Sequence, residues 1–385
     1  MTPDELRDRI IIWENLHTEF KQQLYSKEEL AKDLVCLANA DGGQYVIGVT
    51  DDRTIIGVDD HESVFRIIDE VAVERCEPPL TVDQEAVQLD GRTMVVVNVP
   101  KGDQRPYRTK SGRFYVRTAY GCRQPSWAQL RRLYQAAQFV IYDETPLTTS
   151  DLDDLDLDEA ERYVNAQDLG DVDLVRTLRA WGLVHEGHPT VAGMLMFGRE
   201  PQRVMPAAEA VLLAYGGTDP GEDVVDRYSC SGGLLAVIEQ AESFLSRHLR
   251  NGRQIRGFEP EAIEEIPTGV LREAVVNALI HRDYTIPGPT RVIVFADRVE
   301  VHAPGRPPNS VDVEAMRVGI HVPRNPHVYS RVYAAGMSSG AGSGVPRMAR
   351  LLREHNGTEL GIRVSDAETV LVMQRQGNDD NERLV

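Results

Sequence analysis

The chain has 385 residues, too many for one ordinary hydrophobic core, so two or three domains are predicted. Its composition, 42% hydrophobic and 26% charged, is typical of a soluble protein, and no apolar run approaches the ~18 residues that a membrane span requires. The net charge of −18 argues against a protein that simply coats nucleic acid.

The amino-terminal segment carries charges through its single apolar patch and has no small-residue cleavage site, so we do not interpret it as a signal peptide. The cysteines are far apart in the sequence and form no C-x-x-C pair. We therefore expect free thiols in a cytoplasmic protein without membrane contact, rather than disulfides or a zinc site. The four cysteines are Cys36, Cys76, Cys122 and Cys230.

The first elements predict a mixed α/β domain over residues 1–140. A short amphipathic helix is expected over 4–18 and a second helix over 27–40, which the sequence D-G-G ends. The strand Q-Y-V-I-G-V-T follows, then a turn and a second short strand, I-I-G-V. Two further strands are predicted over 92–100 and 113–119.

Three carboxylates surround these strands. Glu14 and Glu19 precede Lys21, and Asp51 follows the buried strand. If the three converge, they could hold Mg²⁺ or Mn²⁺, which would stabilise charge on a phosphate during phosphodiester cleavage. The alternative is that Glu19 and Lys21 form a surface ion pair of little energetic weight.

A basic segment lies inside this acidic chain. Residues 101–133 hold nine Lys or Arg and one acid, with aromatic residues between them. Such cations can contact phosphates while the rings stack on unpaired bases. The alternative is that Phe114 and Val116 face the core and the arginines pair with the acidic segment 141–174. The predicted nucleic-acid-binding residues are Lys21, Arg105, Arg108, Lys110, Arg113 and Arg117.

The amino-terminal motifs resemble a known family. The sequences E-x-x-x-x-E-F-K, A-N-x-x-G-G-x-x-x-I-G-V and R-x-Y-V-R are similar to the Schlafen AlbA_2 domain over about residues 10–135. In Schlafen nucleases the family's acidic triad falls on Glu14, Glu19 and Asp51. Many bacterial members are described as DNA-binding regulators, so the resemblance implies either a regulator or a nuclease.

The middle of the chain, residues 141–255, is predicted as an acidic linker and middle region. Its first part, 141–174, holds twelve acids and one Arg. Short helices follow, then the strand A-E-A-V-L-L-A-Y and a long amphipathic helix in G-G-L-L-A-V-I-E-Q-A-E-S-F-L.

Residues 256–376 are predicted as a further α/β domain. A helix over 268–283 precedes the strands T-R-V-I-V-F-A and V-E-V-H-A. A glycine-rich loop, 336–346, leads into another helix, and the strand E-T-V-L-V-M-Q ends the domain. We expect a flexible tail over 377–385.

A carboxylate and an amide share one face of the 268–283 helix. Glu273 and Asn277 are four residues apart, and their oxygens are suitable ligands for Mg²⁺. The glycines of the following loop, Gly340, Gly342 and Gly344, could bring backbone N–H groups to a phosphate, with the next helix amino terminus adding positive potential.

These carboxyl-terminal motifs also resemble a known family. The segments R-E-A-V-V-N-A-L-I-H-R-D-Y, D-R-V-E-V-H-A-P-G, P-R-N-P and G-A-G-S-G-V-P-R-M are similar to the GHKL-like ATP-binding domain of RecG-like C-terminal (HATPase_c_4) proteins. The resemblance implies a Bergerat-type α/β sandwich that binds ATP. It also implies that Asn277 holds Mg²⁺, that Glu273 activates water, and that Gly305 and the loop glycines contact the nucleotide.

One position departs from the family pattern. The side chain that anchors adenine in GHKL folds falls here on Ala303, so Asp297 or His302 would have to replace it. The alternative is that Glu273 and Arg282 form an ion pair in a fold that no longer binds nucleotide.

Together these patterns predict an α+β multidomain protein that binds ATP, Mg²⁺ and nucleic acid, either DNA or RNA. In the leading hypothesis, a transcriptional regulator or phage-defence component, the GHKL-like domain controls the AlbA_2 domain, with weak ATPase activity and homo-oligomer formation as further expectations. One alternative is a metal-dependent endonuclease that uses Glu14, Glu19 and Asp51, and another is a non-enzymatic scaffold. No G-x-x-x-x-G-K-[ST] loop occurs, which argues against a P-loop helicase.

Overall fold

The chain divides into two compact units, Met1–Val140 and Ile141–Val385. Both combine helices with mixed sheets, which confirms the predicted α+β multidomain class. In the part of the chain that is described, no helix is both long and apolar enough to cross a bilayer. The computed structural model describes residues 1–118, 121–137, 141–249, 251–256, 259–308, 311–338, 342–365 and 367–375.

The first unit is built from short elements. Its helices are α1 (Pro3–Ile12), α2 (Lys27–Asn39), α3 (His61–Glu74) and α4 (Trp127–Ala136). Its strands are β1 (Thr18–Lys21), β2 (Gly43–Ile47), β3 (Cys76–Glu77), β4 (Asp83–Leu89), β5 (Arg92–Val99), β6 (Arg108–Thr109), β7 (Val116–Thr118) and β8 (Gly121–Arg123).

A four-stranded sheet with the order β1-β2-β5-β4 forms the centre of the first unit. β1 and β2 are parallel, and the other pairs are antiparallel. Because side chains alternate along a strand, Tyr45 and Ile47 pack with α2 and α3, whereas Val46 packs with α1 on the opposite face. The sheet is therefore covered by apolar contacts on both sides.

Asn39, the last residue of α2, holds two later segments against the helix. Its side-chain NH₂ donates to the carbonyls of Tyr107 and Tyr115, both at 2.8 Å, and its Oδ1 accepts from the Tyr107 N–H at 2.7 Å. The chain then turns through Gly43, where a Cβ would collide with the carbonyl of His17. The A-N-x-x-G-G motif therefore has a structural role as the turn that connects α2 to β2.

The prediction of four free thiols is wrong for two of them. Cys36 on α2 and Cys122 on β8 form a disulfide, although 86 residues separate them in the sequence. Contact between α2 and β8 brings their Cα atoms to 5.9 Å, a separation that a disulfide spans. Cys76 and Cys230 are free and buried.

The second unit contains the remaining elements. Its helices are α5 (Leu157–Asn165), α6 (Leu174–Ala180), α7 (Val191–Phe197), α8 (Pro201–Val204), α9 (Leu234–His248), α10 (Thr268–His281), α11 (Val313–Arg317), α12 (Pro326–Ala334) and α13 (Gly344–Asn356). Its strands are β9 (Val184–His185), β10 (His188–Pro189), β11 (Ala210–Tyr215), β12 (Val224–Cys230), β13 (Asn251–Arg256), β14 (Glu259–Glu264), β15 (Thr290–Val294), β16 (Arg298–Pro304), β17 (Gly361–Val364) and β18 (Glu368–Gln374).

A six-stranded sheet with the order β12-β11-β15-β16-β18-β17 spans this unit. β11 pairs parallel with β15, and the other neighbours are antiparallel. β11 and β12 come from residues 141–255, which the sequence suggested as a separate linker and middle region. Strand pairing joins that segment to the carboxyl-terminal sheet, so both belong to one hydrophobic core.

Helix α10 lies in the core of this unit and is apolar on most of its circumference. Val270, Ala274 and Val276 are fully buried. It packs against α9, α13 and β16. Because these neighbours cover most of the helix, the row of Glu273, Asn277 and His281 is its principal polar face.

The carboxyl end of α10 is fixed by two buried side chains. Arg282, 1% exposed, donates to the carbonyl of Gly288 at 2.7 Å and to the hydroxyl of Thr290 at 3.1 Å. Asn325 donates to the carbonyls of Ile280 and Arg282 at 2.9 and 3.0 Å. Carbonyls at the carboxyl end of a helix have no N–H donor within the helix, so Asn325 supplies the missing hydrogen bonds. Arg282 therefore acts on the backbone, and the alternative Glu273–Arg282 ion pair is not formed.

We expect Arg282→Met to destabilise the protein by about 3 kcal/mol or more, because buried carbonyls lose their charged donor. Urea unfolding of the full chain measures the change. Arg272→Ala on the same helix is the matched control, since Arg272 pairs with Glu242 at the surface and its loss costs at most about 1 kcal/mol. Equal stability of the two variants would contradict the anchoring role of Arg282.

Helix α2 buries the carboxyl group of Asp33, which is 5% exposed. Burial raises the pKa of Asp33 to about 6, with repulsion from Glu19 adding to the effect and attraction by Lys21 opposing it. The folded protein thus holds this proton more tightly than the unfolded chain. The stability due to Asp33 is full below the ordinary aspartate pKa of about 4 and is lost as the pH rises through about 6.

We expect Asp33→Asn to be more stable than the wild-type protein near pH 7.5, by up to about 3 kcal/mol, and to lose that advantage near pH 4. Urea unfolding across this pH range tests the expectation. Asp69→Asn, an exposed position on α3, serves as the control. If the free energies of unfolding of the wild-type protein and Asp33→Asn changed with pH in parallel, ionisation of Asp33 would not be what destabilises the wild-type protein near pH 7.5.

Candidate functional site

A cleft opens beside α10 in the second unit. Glu273, Asn277 and His281 line one wall, so the polar face of α10 borders this cleft. Ala303 and Leu371, from β16 and β18, contribute apolar surface. The cleft therefore combines a polar helix face with an apolar sheet face, as small-molecule sites commonly do.

One end of the cleft is suited to phosphate and a divalent cation. The Asn277 amide donates to the Glu273 carboxylate at 3.3 Å, so the two side chains are adjacent. Gly344, the first residue of α13, lies so close that a Cβ there would collide with the Glu273 carboxylate. We call Glu273, Asn277 and Gly344 the phosphate end, because a helix amino terminus there faces two oxygen ligands suitable for Mg²⁺.

Two of the other predicted glycines also line the cleft. Gly305 has φ +97°, and a Cβ there would lie 2.7 Å from the Cβ of Asp283. Gly342 has φ +75°, and a Cβ would collide with the carbonyl of Gly319. Both positions require glycine to shape the cleft wall. Gly340 lies outside the described residues.

Neither predicted replacement for the adenine anchor lines the cleft. Asp297 sits in the exposed turn before β16, six residues from Ala303 and about 20 Å away along the strand, where it pairs with Arg298 at 2.9 Å. His302 is adjacent to Ala303 but points to the other face of the sheet, where it contacts Glu300 at 2.9 Å. The assignment of Asp297 as a cofactor ligand is therefore wrong.

In the first unit, Glu14 and Glu19 lie near each other, but Glu19 is occupied by cations. Its carboxylate pairs with Lys21 and, at 2.5 Å, with Arg117. Burial raises the pKa of Glu19, but these hydrogen bonds outweigh it and lower the pKa overall. Burial and the Glu19 charge raise the pKa of Glu14, which accepts from the Phe20 N–H at 3.1 Å.

Asp51 is not part of this cluster. It occupies an exposed turn six residues beyond Tyr45, which is the register partner of Glu19 in β2. Among the residues described, no group of three or more His, Cys, Asp or Glu side chains is arranged to hold a metal ion. The predicted site of Glu14, Glu19 and Asp51 is therefore not assembled, and the structure gives the nuclease alternative no support.

Two of the predicted nucleic-acid contacts are buried. The Arg117 side chain is 2% exposed and, besides Glu19, binds the carbonyls of Asn15 and Thr18 at 2.7 and 2.8 Å. Arg105 is 3% exposed and donates to the carbonyl of Ala40 at 3.1 Å. These arginines hold the first unit together, and assigning them to nucleic acid is wrong.

The other predicted cations differ in availability. Lys21 is partly buried in its pair with Glu19, and Arg108 pairs with Glu77 at 3.0 Å. Lys110 and Arg113 are exposed in the tight turn that follows β6. These two are the predicted cations best placed to reach a phosphate.

Sequence patterns identified only part of the cleft. His281 continues the four-residue spacing of Glu273 and Asn277 and could have been included on that ground. His321 and Tyr329 also line the cleft, but His321 lies in a loop and Tyr329 on the separate helix α12. Their positions follow from packing and leave no periodic signal in the sequence.

Comparisons with known proteins agree with both sets of motifs. A family described as "Schlafen, AlbA_2" matches residues 14–126, and one described as "Putative ATP-dependent DNA helicase recG C-terminal" matches residues 288–373. The second match begins after α10, so the roles of Glu273 and Asn277 depend on the cleft geometry. No curated protein matches the chain.

Two solved structures give further likenesses. The crystal structure of the DIP2311 protein from Corynebacterium diphtheriae has 22% identity and a TM-score of 0.51, over 97% of this chain and 80% of that chain. The solution structure of the N-terminal domain of a RecG-related protein from Nitrosomonas europaea has 22% identity and a TM-score of 0.25, over 29% of this chain and 81% of that chain.

The family matches confirm the domain identities that the motifs predicted. The likeness to the DIP2311 protein concerns the fold alone. The chain therefore carries a Schlafen AlbA_2 domain at residues 14–126 and a RecG-like C-terminal domain of the HATPase_c_4 type at residues 288–373.

Proposed function

We propose that the second unit binds a nucleoside triphosphate, ATP in the first instance, together with Mg²⁺ in the cleft beside α10. The observation that carries this proposal is the phosphate end, where Glu273 and Asn277 lie against the amino terminus of α13. A nucleotide needs donors for its phosphates and oxygen ligands for its cation, and this end supplies both.

Each group at the phosphate end has a chemical task in this proposal. Asn277 and Glu273 would hold Mg²⁺, which neutralises phosphate charge when bound. The first backbone N–H groups of α13 would donate to phosphate oxygens. Glu273 is also placed to accept a proton from an attacking water, which would give a weak ATPase activity.

In the same proposal, the first unit contacts nucleic acid and the nucleotide state of the second unit regulates that contact. Exposed Lys110 and Arg113 support this assignment, because phosphate contacts are made by accessible cations. A transcriptional or phage-defence role would then follow from nucleotide-controlled binding of DNA or RNA.

We expect the wild-type chain to bind ATP in the presence of Mg²⁺ and Asn277→Ala to bind it at least about tenfold more weakly, because a cation ligand is lost. Isothermal titration calorimetry measures both affinities. Arg272→Ala, on the exposed side of the same helix, should bind as the wild-type chain does. If the wild-type chain gives no ATP-dependent heat, the nucleotide proposal fails.

We expect the double change Lys110→Ala and Arg113→Ala to weaken binding of single-stranded DNA or RNA. The slope of log K against log salt should become shallower by about 1.5, as two phosphate contacts disappear. Fluorescence anisotropy at several salt concentrations tests this. The pair Arg9→Ala and Arg66→Ala removes the same charge from exposed positions of α1 and α3 and should have a smaller effect. Identical slopes for the two double variants would exclude a local contact.

A further inference from the structure

Three aromatic side chains converge in the cleft beside α10. The ring centroids of His281 and His321 are 5.4 Å apart, with an interplanar angle of 89°. The rings of His321 and Tyr329 are 4.8 Å apart, and those of His281 and Tyr329 are 6.2 Å apart. All three residues line the cleft, and we call them the ring cluster.

Helix α10 separates the ring cluster from the phosphate end by a fixed distance. Glu273, Asn277 and His281 follow one helix face at four-residue intervals, and each interval advances about 6 Å along the axis. Because Gly344 and the amino terminus of α13 lie against Glu273 and Asn277, the ring cluster begins about 12 Å from Glu273. A ligand that reaches both must be elongated, as a nucleoside triphosphate is.

The ring cluster has the wrong chemistry for a phosphate. Burial lowers the pKa of His281 to about 3, with the nearby His321 and Arg324 acting in the same direction. Burial also lowers the pKa of His321, so both imidazoles are uncharged at neutral pH. Met316 and Ile320 add apolar surface to the same cleft. A neutral surface of rings and aliphatic groups fits a flat heteroaromatic base.

We propose that the ring cluster is a nucleobase subsite, in which His321 and Tyr329 contact the face of a purine whose phosphates lie at the other end of the cleft. This inference rests on the proposed nucleotide-binding function and adds the residues that hold the base. The affinity for the base comes from contact with aromatic rings, rather than from an acidic side chain at position 303.

The same geometry defines the selectivity of the subsite. Among the cleft-lining residues that the structure describes, Glu273 is the only carboxylate, and it belongs to the phosphate end. The lining residue at the family's adenine-anchor position is Ala303, which has no hydrogen-bonding side chain. Thr369, the strand partner of Ala303, also lines the cleft, but its hydroxyl donates to the carbonyl of Gly305 at 2.9 Å. A site that holds a base mainly by its face, without a carboxylate to read its edge, discriminates weakly between purines. ATP and GTP should therefore bind with affinities within about fivefold of each other.

Calorimetric titration of the full chain with ATP and with GTP, each with Mg²⁺, tests the subsite. His321→Ala and Tyr329→Ala should each weaken both nucleotides about tenfold, since contact with a base face contributes about 1–3 kcal/mol. His321→Phe and Tyr329→Phe keep a ring and should stay within about threefold of the wild-type affinity. Thermal unfolding of each variant verifies that it is folded, and the ring-retaining variants and the ATP-to-GTP ratio decide the matter if an alanine variant does not fold.

The outcomes separate this inference from the nucleotide proposal itself. If Asn277→Ala loses ATP but His321→Ala and Tyr329→Ala bind it as the wild-type chain does, the cleft binds nucleotide and the ring subsite is wrong. A preference for ATP over GTP of about a hundredfold or more would also overturn it, because that ratio requires edge recognition. If the wild-type chain binds neither nucleotide, both proposals fail.

Discussion

The donation of buried side-chain N–H groups to the backbone around the carboxyl end of α10 is the interaction on which the second unit depends. Arg282 binds the segment that leads into β15, and Asn325 binds the last carbonyls of the helix itself. Both side chains are nearly inaccessible to solvent, so their hydrogen bonds form where water cannot replace them. The direction of α10, and hence of its polar row, follows from these contacts.

This anchorage also connects the two walls of the cleft. Arg324, next to Asn325, donates to the carbonyl of Arg306 at 2.8 Å and lies 3.5 Å from Asp283. The sequences H-R-D-Y and P-R-N-P begin 42 residues apart, at His281 and Pro323, and these hydrogen bonds bring them into contact. Their charged residues serve mainly to place the helix, and the residues proposed to bind the cation lie one and two turns earlier.

The first unit uses its motif residues in a similar way. Arg117, from R-x-Y-V-R, pairs with Glu19, from E-F-K, and donates to backbone carbonyls just before and at the start of β1. A charged residue that is both buried and paired costs free energy when its partner is removed, which makes it a structural requirement. A motif shared with nucleases can therefore be present without an assembled metal site.

The sequence predicted those elements and shared helix faces that follow from local periodicity. The 268–283 helix, the strands on either side of Asp297, and the shared face of Glu273 and Asn277 follow from spacing along the chain. The spacing of residues along the chain does not show whether a charged side chain is buried. The burial of Arg105 and Arg117 was therefore not predicted. Contacts between distant segments were equally invisible, as in the Cys36–Cys122 disulfide and the parallel pairing of β11 with β15.

The central claim is that one elongated ligand lies along α10, with its phosphates beside Asn277 and its base beside His321. A crystal structure of the full chain with a non-hydrolysable ATP analogue and Mg²⁺ tests it most directly. The account predicts phosphate density at the amino terminus of α13 and ring density against His321 and Tyr329. An empty cleft in crystals whose analogue is bound elsewhere, or phosphates at the ring cluster, would contradict it.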